Sequence, residues 1–113
     1  RGTTSARIVS LLREAGAKEV HMRVSSPPFK NPCYFGTDID SRENLIACRM
    51  PIDEIAKTIG VDSLGFLSVN SVNQIAESAQ CGFCDGCFTG EYPIGVPDTI
   101  QKHKFERRLS EVK

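Results

Sequence analysis

Cys81-Gly82-Phe83-Cys84-Asp85-Gly86-Cys87 sets three thiols at two-residue intervals. Thiolates spaced this way grip one soft centre, because a tight turn between them brings their sulfurs together. Glycines at 82 and 86 permit such a turn. The spacing matches the bacterial iron–sulfur ligand run, and C-x-x-C knuckles also serve tetrahedral zinc. On spacing alone the candidate set is Cys81, Cys84 and Cys87, with Cys33 from a Pro-rich stretch as the fourth. The chain has five cysteines, an odd number, and shows no secretory signal, so metal or cluster binding is favoured over a disulfide framework. The fifth, Cys48, lies near Leu45 and Ile46 on the apolar side of an expected helix and reads as a buried free thiol.

A second constellation opens the chain. Arg1-Gly2-Thr3-Thr4-Ser5 precedes a helical pattern. The first turn of a helix leaves backbone N–H groups unpaired, and a glycine lets them approach a ligand closely. With the helix dipole they make an anion site. The hydroxyls of Thr3, Thr4 and Ser5 add donors and Arg1 adds charge, a set suited to a phosphomonoester. Glycine and threonine before a helix also serve as plain caps, so this signal needs support from elsewhere in the chain.

The elements that must position these groups follow from periodicity. Ile8, Leu11, Leu12 and Ala15 recur at helical spacing with Gly16 as a stop, which predicts a helix over 4–15. Residues 19–24 alternate like a strand buried on one face, and Pro27 and Pro28 end that pattern. Residues 27–38 read as loop. Asp40-Ser41-Arg42-Glu43 resembles a capping box leading into a short helix with Leu45 and Ile46. Pro51 suits the first turn of another helix, with Ile52, Ile55, Ala56 and Ile59 on one face and Gly60 closing it. Residues 64–69 predict a buried strand, and 71–77 a further short helix. Residues 81–97 have no periodicity. Helix alternating with strand implies an α/β layer arrangement with a mainly parallel sheet.

Composition is that of an ordinary globular chain: 113 residues, 40% hydrophobic, 25% charged, formal net charge zero. A neutral chain offers no field toward nucleic acid or an anionic membrane. No apolar run is long enough to span a bilayer, and a cytoplasmic setting is the default. Two strands fall short of a usual sheet, and residues 1–5 read as the inside of a strand–loop–helix unit whose strand is absent, so the chain is read as a fragment. His21 on the polar face of its strand and His103 in the tail read as surface residues. The tail from 98 to 113 alternates Lys102, Lys104, Arg107 and Arg108 with Glu106 and Glu111 and reads as a weak helix or disordered.

Five motifs, in order, carry a resemblance to one family. RGTTSARIV, residues 1–9, resembles the end of the phosphoribosyl-pyrophosphate motif of type I phosphoribosyltransferases. Ser25-Ser26-Pro27-Pro28 through Pro32-Cys33-Tyr34-Phe35-Gly36, Glu43-Asn44-Leu45-Ile46-Ala47, the FLSV run at 66–69, and Cys84-x-x-Cys87-Phe88-Thr89-Gly90-Glu91-Tyr92-Pro93 resemble cluster-containing amidophosphoribosyltransferases. The resemblance implies a division into residues 1–70, the C-terminal part of a type I phosphoribosyltransferase fold; 71–97, a helix and an irregular Cys-rich cluster-binding segment; and 98–113, a charged tail.

The resemblance also implies a function. Glutamine-derived ammonia would displace pyrophosphate from phosphoribosyl pyrophosphate, the first committed step of purine synthesis. Arg1, Gly2, Thr3, Thr4 and Ser5 would hold the 5′-phosphate. The acidic pair that meets the ribose and Mg2+ would precede residue 1, as would the glutaminase domain, and the fragment alone is expected to be inactive. A 4Fe-4S cluster would take Cys33, Cys84 and Cys87 with a fourth cysteine upstream, leaving Cys81 a bystander or substitute ligand. Tyr92 and Phe88 would shield it. Purine nucleotides as inhibitors and a homotetramer are further implications. Two alternatives remain at this level: a zinc-binding interaction module on Cys33, Cys81, Cys84 and Cys87, and a phosphoribosyltransferase without a glutaminase partner.

Overall fold

A computed structural model describes residues 2–39 and 41–96; Arg1, Asp40 and the charged tail lie outside the described residues. The element order is α1 (Thr3–Glu14), β1 (His21–Val24), a 3-10 turn (Arg42–Asn44), α2 (Ile46–Arg49), α3 (Ile52–Ile59), β2 (Ser63–Phe66), α4 (Val69–Ile75) and α5 (Gly86–Thr89). The two strands pair in parallel, His21 opposite Ser63 and Val24 opposite Phe66. This is the α/β arrangement expected from the sequence.

Apolar periodicity builds the core. Val9 of α1, Ile55 and Ile59 of α3, and Val20 and Val61 just before the two strands are buried together, with Ala6, Ala17, Met22, Ile46 and Leu64 packed around them. Each fully buried Val or Ile side chain contributes about 1.5–3 kcal/mol relative to exposure. Both helices that form this layer stop by the same device. Gly16 N–H reaches Arg13 O at 2.9 Å and Ala17 N–H reaches Leu12 O at 3.0 Å. At the end of α3, Gly60 N–H reaches Lys57 O at 3.2 Å and Val61 N–H reaches Ala56 O at 3.1 Å. These paired bonds satisfy carbonyls that the helix end would leave open.

One carboxylate ties the layer together. Asp62 Oδ2 accepts from Val20 N–H at 2.7 Å and from Arg13 at 2.5 Å, while Asp62 N–H donates to Val20 O at 2.9 Å. Arg13 also donates to Lys18 O. The end of α1 and the starts of both strands are thereby joined.

Three expectations are corrected. The second strand stops at Phe66, because Ser68 caps α4: its side chain accepts Ser71 N–H at 3.0 Å. That local bond draws Val69 into a helix instead of the ladder. The single short helix expected after residue 40 is broken, since Leu45 is extended (φ −79°, ψ 121°) between the 3-10 turn and α2. Cys48 is exposed, with its thiol donating to Lys30 O at 3.1 Å. Among the described residues no helix is long and apolar enough to cross a membrane.

Candidate functional site: a docked cysteine loop and a helix N-terminus

The Cys-rich segment is docked on the Pro-rich loop that follows β1. Cys87 O accepts from both Lys30 N–H and Asn31 N–H at 3.0 Å. Phe88 packs on Phe29 with ring centroids 5.1 Å apart. Tyr92 meets Tyr34 edge-on at 5.3 Å and Phe35 at 6.1 Å, and its hydroxyl donates to Pro32 O at 2.7 Å. Pro32 and Gly86, both buried, lie in this contact. The turn holding Cys87 is the one-turn helix α5, closed by Gly90 at φ 85°. Sequence periodicity missed it, because four residues are too few to show a period; the flanking Asp85 and Gly90 were its only local signal.

These contacts bring Cys33 and Cys87 to one place. Burial raises the Cys87 thiol above its ordinary value, and neighbouring Cys33, Cys84 and Asp85 push the same way. Burial likewise raises the Tyr92 hydroxyl, aided by Tyr34 and by the same three cysteines. Thiols 33, 84 and 87 therefore share one electrostatic neighbourhood. Cys81 is exposed. Among the described residues, no group of three or more His, Cys, Asp or Glu side chains is placed to hold a metal ion. Cys33 and Cys87 are half-buried and Cys84 is exposed.

The second candidate, residues 2–5, is the start of α1. Gly2 is the N-cap at φ 84°, no side chain caps the turn, and no acidic residue lies in it. Thr3 and Thr4 are exposed and Ser5 is half-buried. Ala6 N–H is the first to find a helical carbonyl, Gly2 O at 3.0 Å. The positive end of the helix thus carries no acidic side chain in its own first turn. Arg1 lies outside the described residues. A side chain at position 2 would be opposed twice, by the left-handed φ and by Ile46 Cδ1 at 2.7 Å from its Cβ.

His21, expected on the surface, is exposed on β1. Its ring contacts Ser63 Oγ at 2.9 Å and Glu19 at 3.2 Å.

No protein-family model matches the chain. It is 52% identical over 104 residues to an amidophosphoribosyltransferase of Synechocystis sp., covering 92% of this chain and 21% of that protein. The Bacillus subtilis amidophosphoribosyltransferase is 46% identical over 115 residues, covering 97% and 24%. That of Archaeoglobus fulgidus is 50% identical over 99 residues, covering 86% and 22%. Among solved structures, the B. subtilis glutamine phosphoribosylpyrophosphate amidotransferase complexed with ADP and GMP superposes with a TM-score of 0.75 at 47% identity, over 87% of this chain and 22% of that one. A structure described as the allosteric regulatory enzyme of purine biosynthesis gives 0.82 at 46% identity, over 98% and 25%. The chain spans between a fifth and a quarter of the length of these relatives. Over this stretch the chain is similar in sequence and in fold to amidophosphoribosyltransferases, and it matches the phosphoribosyltransferase part of the two solved structures.

Proposed function

We propose that this chain is part of an enzyme that makes 5-phosphoribosylamine from phosphoribosyl pyrophosphate and glutamine-derived ammonia. The observation that carries the reading is 46–52% identity over nearly the whole chain to amidophosphoribosyltransferases of three organisms. Residues 1–70 are assigned to the phosphoribosyltransferase domain, 71–97 to the Cys-rich segment and 98–113 to a tail. The protein works in the cytoplasm as a homo-oligomer, a tetramer, and answers to purine nucleotides; the ADP and GMP bound to the B. subtilis relative favour the last point.

In this reading Gly2, Thr3, Thr4 and Ser5, with Arg1, hold the 5′-phosphate. The uncapped N-terminus of α1 and the lack of an acidic residue in its first turn support it. Fixing the phosphate keeps the anomeric carbon in line with the incoming ammonia, and that positioning is the chain's share of the rate. No residue here is assigned to Mg2+, whose ligands are expected before Arg1. The departing group is pyrophosphate, whose negative charge a bound Mg2+ would offset.

Cys33, Cys84 and Cys87 are the residues that would hold a 4Fe-4S cluster, with a fourth cysteine from outside these 113 residues and Cys81 as the substitute. Three soft donors on two docked loops suit such a group chemically. The cluster would supply cross-linking: a bound centre adds folding free energy when the unfolded chain lacks the site. Zinc on the same thiols is the competing metal.

The test is a double one, on the protein at its full natural length. Thr4→Val is expected to raise KM for phosphoribosyl pyrophosphate with glutaminase turnover unchanged. Elemental analysis is expected to find iron and sulfide that Cys87→Ser abolishes. Full synthesis without phosphoribosyl pyrophosphate dependence, or zinc in place of iron and sulfide, would overturn the corresponding half.

A further inference from the structure

The loop carrying Cys33 and the segment carrying Cys84 and Cys87 lie 51 residues apart in sequence at their nearest cysteines (33 and 84). No strand pairing joins them among the described residues; backbone and side-chain contacts do, and several of these converge on Tyr92. Tyr92 follows the one-turn helix α5 and folds back across it. Its ring occupies the space that a side chain at position 86 would need: a Cβ on Gly86 would fall 2.4 Å from Tyr92 Cδ1 and 2.7 Å from Cε1. On its far side the ring meets Tyr34 and Phe35, the two residues after Cys33. Its hydroxyl donates to the carbonyl of Pro32, the residue before Cys33, at 2.7 Å. Cys33 is therefore bracketed on both sides by contacts to Tyr92. Residue 86, immediately before Cys87, is the floor on which the ring rests.

We propose that Tyr92 is a positioning residue that clamps the Cys33 loop onto the Cys84–Cys87 segment before any metal is bound, so that the thiols of the two loops are presented to an incoming centre together. The clamp rests only on contacts among protein groups. Its consequence for a cluster rests on the reading given above. Three features favour the assignment over simple packing. The hydroxyl meets a backbone carbonyl beside the candidate ligand rather than solvent. The glycine at 86 is required by the ring and not by its own backbone, since it is absent from the residues with positive φ. Other contacts between the loops, among them Phe29 with Phe88 and the two amides on Cys87 O, fall at residues 29–31, whereas those of Tyr92 flank Cys33 in sequence. Pre-docking reduces the loop ordering that binding would otherwise have to supply.

The experiment uses full-length protein freed of metal by chelation, treated with dibromobimane, which bridges two thiols a few ångströms apart. Peptide mapping then scores links between the peptide holding Cys33 and the peptide holding Cys84 and Cys87. Tyr92→Phe keeps the ring and loses one hydrogen bond, and the rate of this link is expected to fall about threefold. Tyr92→Leu loses ring and hydroxyl and is expected to fall about tenfold or more. Gly86→Ala, which drives the ring from its floor, is expected to behave like the Leu variant. Links within the Cys84–Cys87 peptide serve as the internal standard and should not change. After anaerobic reconstitution, the visible charge-transfer band of the variants should bleach in air faster in the same order. Wild-type cross-linking rates in every variant that keeps its helical circular dichroism would overturn the clamp. A wild-type protein that takes up no iron and sulfide would sink the cluster, and the cross-link would then decide the clamp by itself.

Discussion

At the scale of single residues, Gly2 is where the proposed phosphate contact and the packing meet. It takes a left-handed φ of 84° and its missing Cβ leaves room for Ile46 Cδ1. Gly2→Ala is expected to cost about 1–3 kcal/mol, from the backbone conformation and the displaced Ile46 together, read as a shift of the urea midpoint. The same change should raise KM for phosphoribosyl pyrophosphate, because the amides of α1 move with it. A variant with unchanged stability and unchanged KM would mean that residue 2 relaxes freely and that the start of α1 does not touch the substrate. Gly2 was legible in the sequence as a cap residue, and the thiols at 33, 84 and 87 as candidates by their spacing and resemblance. Tyr92 was legible only as a neighbour of the motif. Its partner carbonyl, Pro32 O, lies 60 positions away, and no local spacing encodes that meeting.

At the scale of elements, Asp62 links α1, β1 and β2, and its titration should govern how the layer holds in acid. Val20 N–H first, and then the Arg13 guanidinium, hold the Asp62 carboxyl below its ordinary 3.8. A carboxyl lowered by folding stabilises above its unfolded value, and that contribution is lost as the pH falls through the folded value. Asp62→Asn is therefore expected to be less stable than wild type at pH 7, with the two urea midpoints converging as the pH drops below 3.8. A gap that stays constant down to pH 2 would show that the charge of Asp62 is not what matters. The elements themselves were mostly readable. Apolar spacing and the glycines at 16 and 60 placed α1 and α3 to within a residue or so. The errors fell where apolar runs are short. Phe66-Leu67-Ser68-Val69 reads as a strand by composition, yet the Ser68 side chain caps Ser71 N–H and starts a helix. The extended Leu45 is a single residue and α5 a single turn, each too short to show a period.

At the scale of the whole molecule, α1 carries a second apolar stripe. Val9 is 3% exposed in the core, but Ile8, Leu11 and Leu12, at i, i+3 and i+4, remain 50%, 48% and 45% exposed. A helix apolar on two sides belongs inside a larger body. The two-stranded parallel sheet says the same, since parallel strands are normally covered on both faces and flanked by others. The relatives are between four and five times as long as the stretch they share with this chain, so there is ample polypeptide to supply that cover. The expectation is specific. In the full-length protein Leu12→Ala should cost about 2–5 kcal/mol, the range of a buried leucine. In the 113-residue stretch by itself the same change should move stability by no more than about 0.5 kcal/mol, as at an open surface. Urea unfolding of both forms, followed by circular dichroism, measures the difference. If both lengths respond by the same small amount, α1 faces water in the full-length protein, and the stripe at 8, 11 and 12 has no inward-facing role.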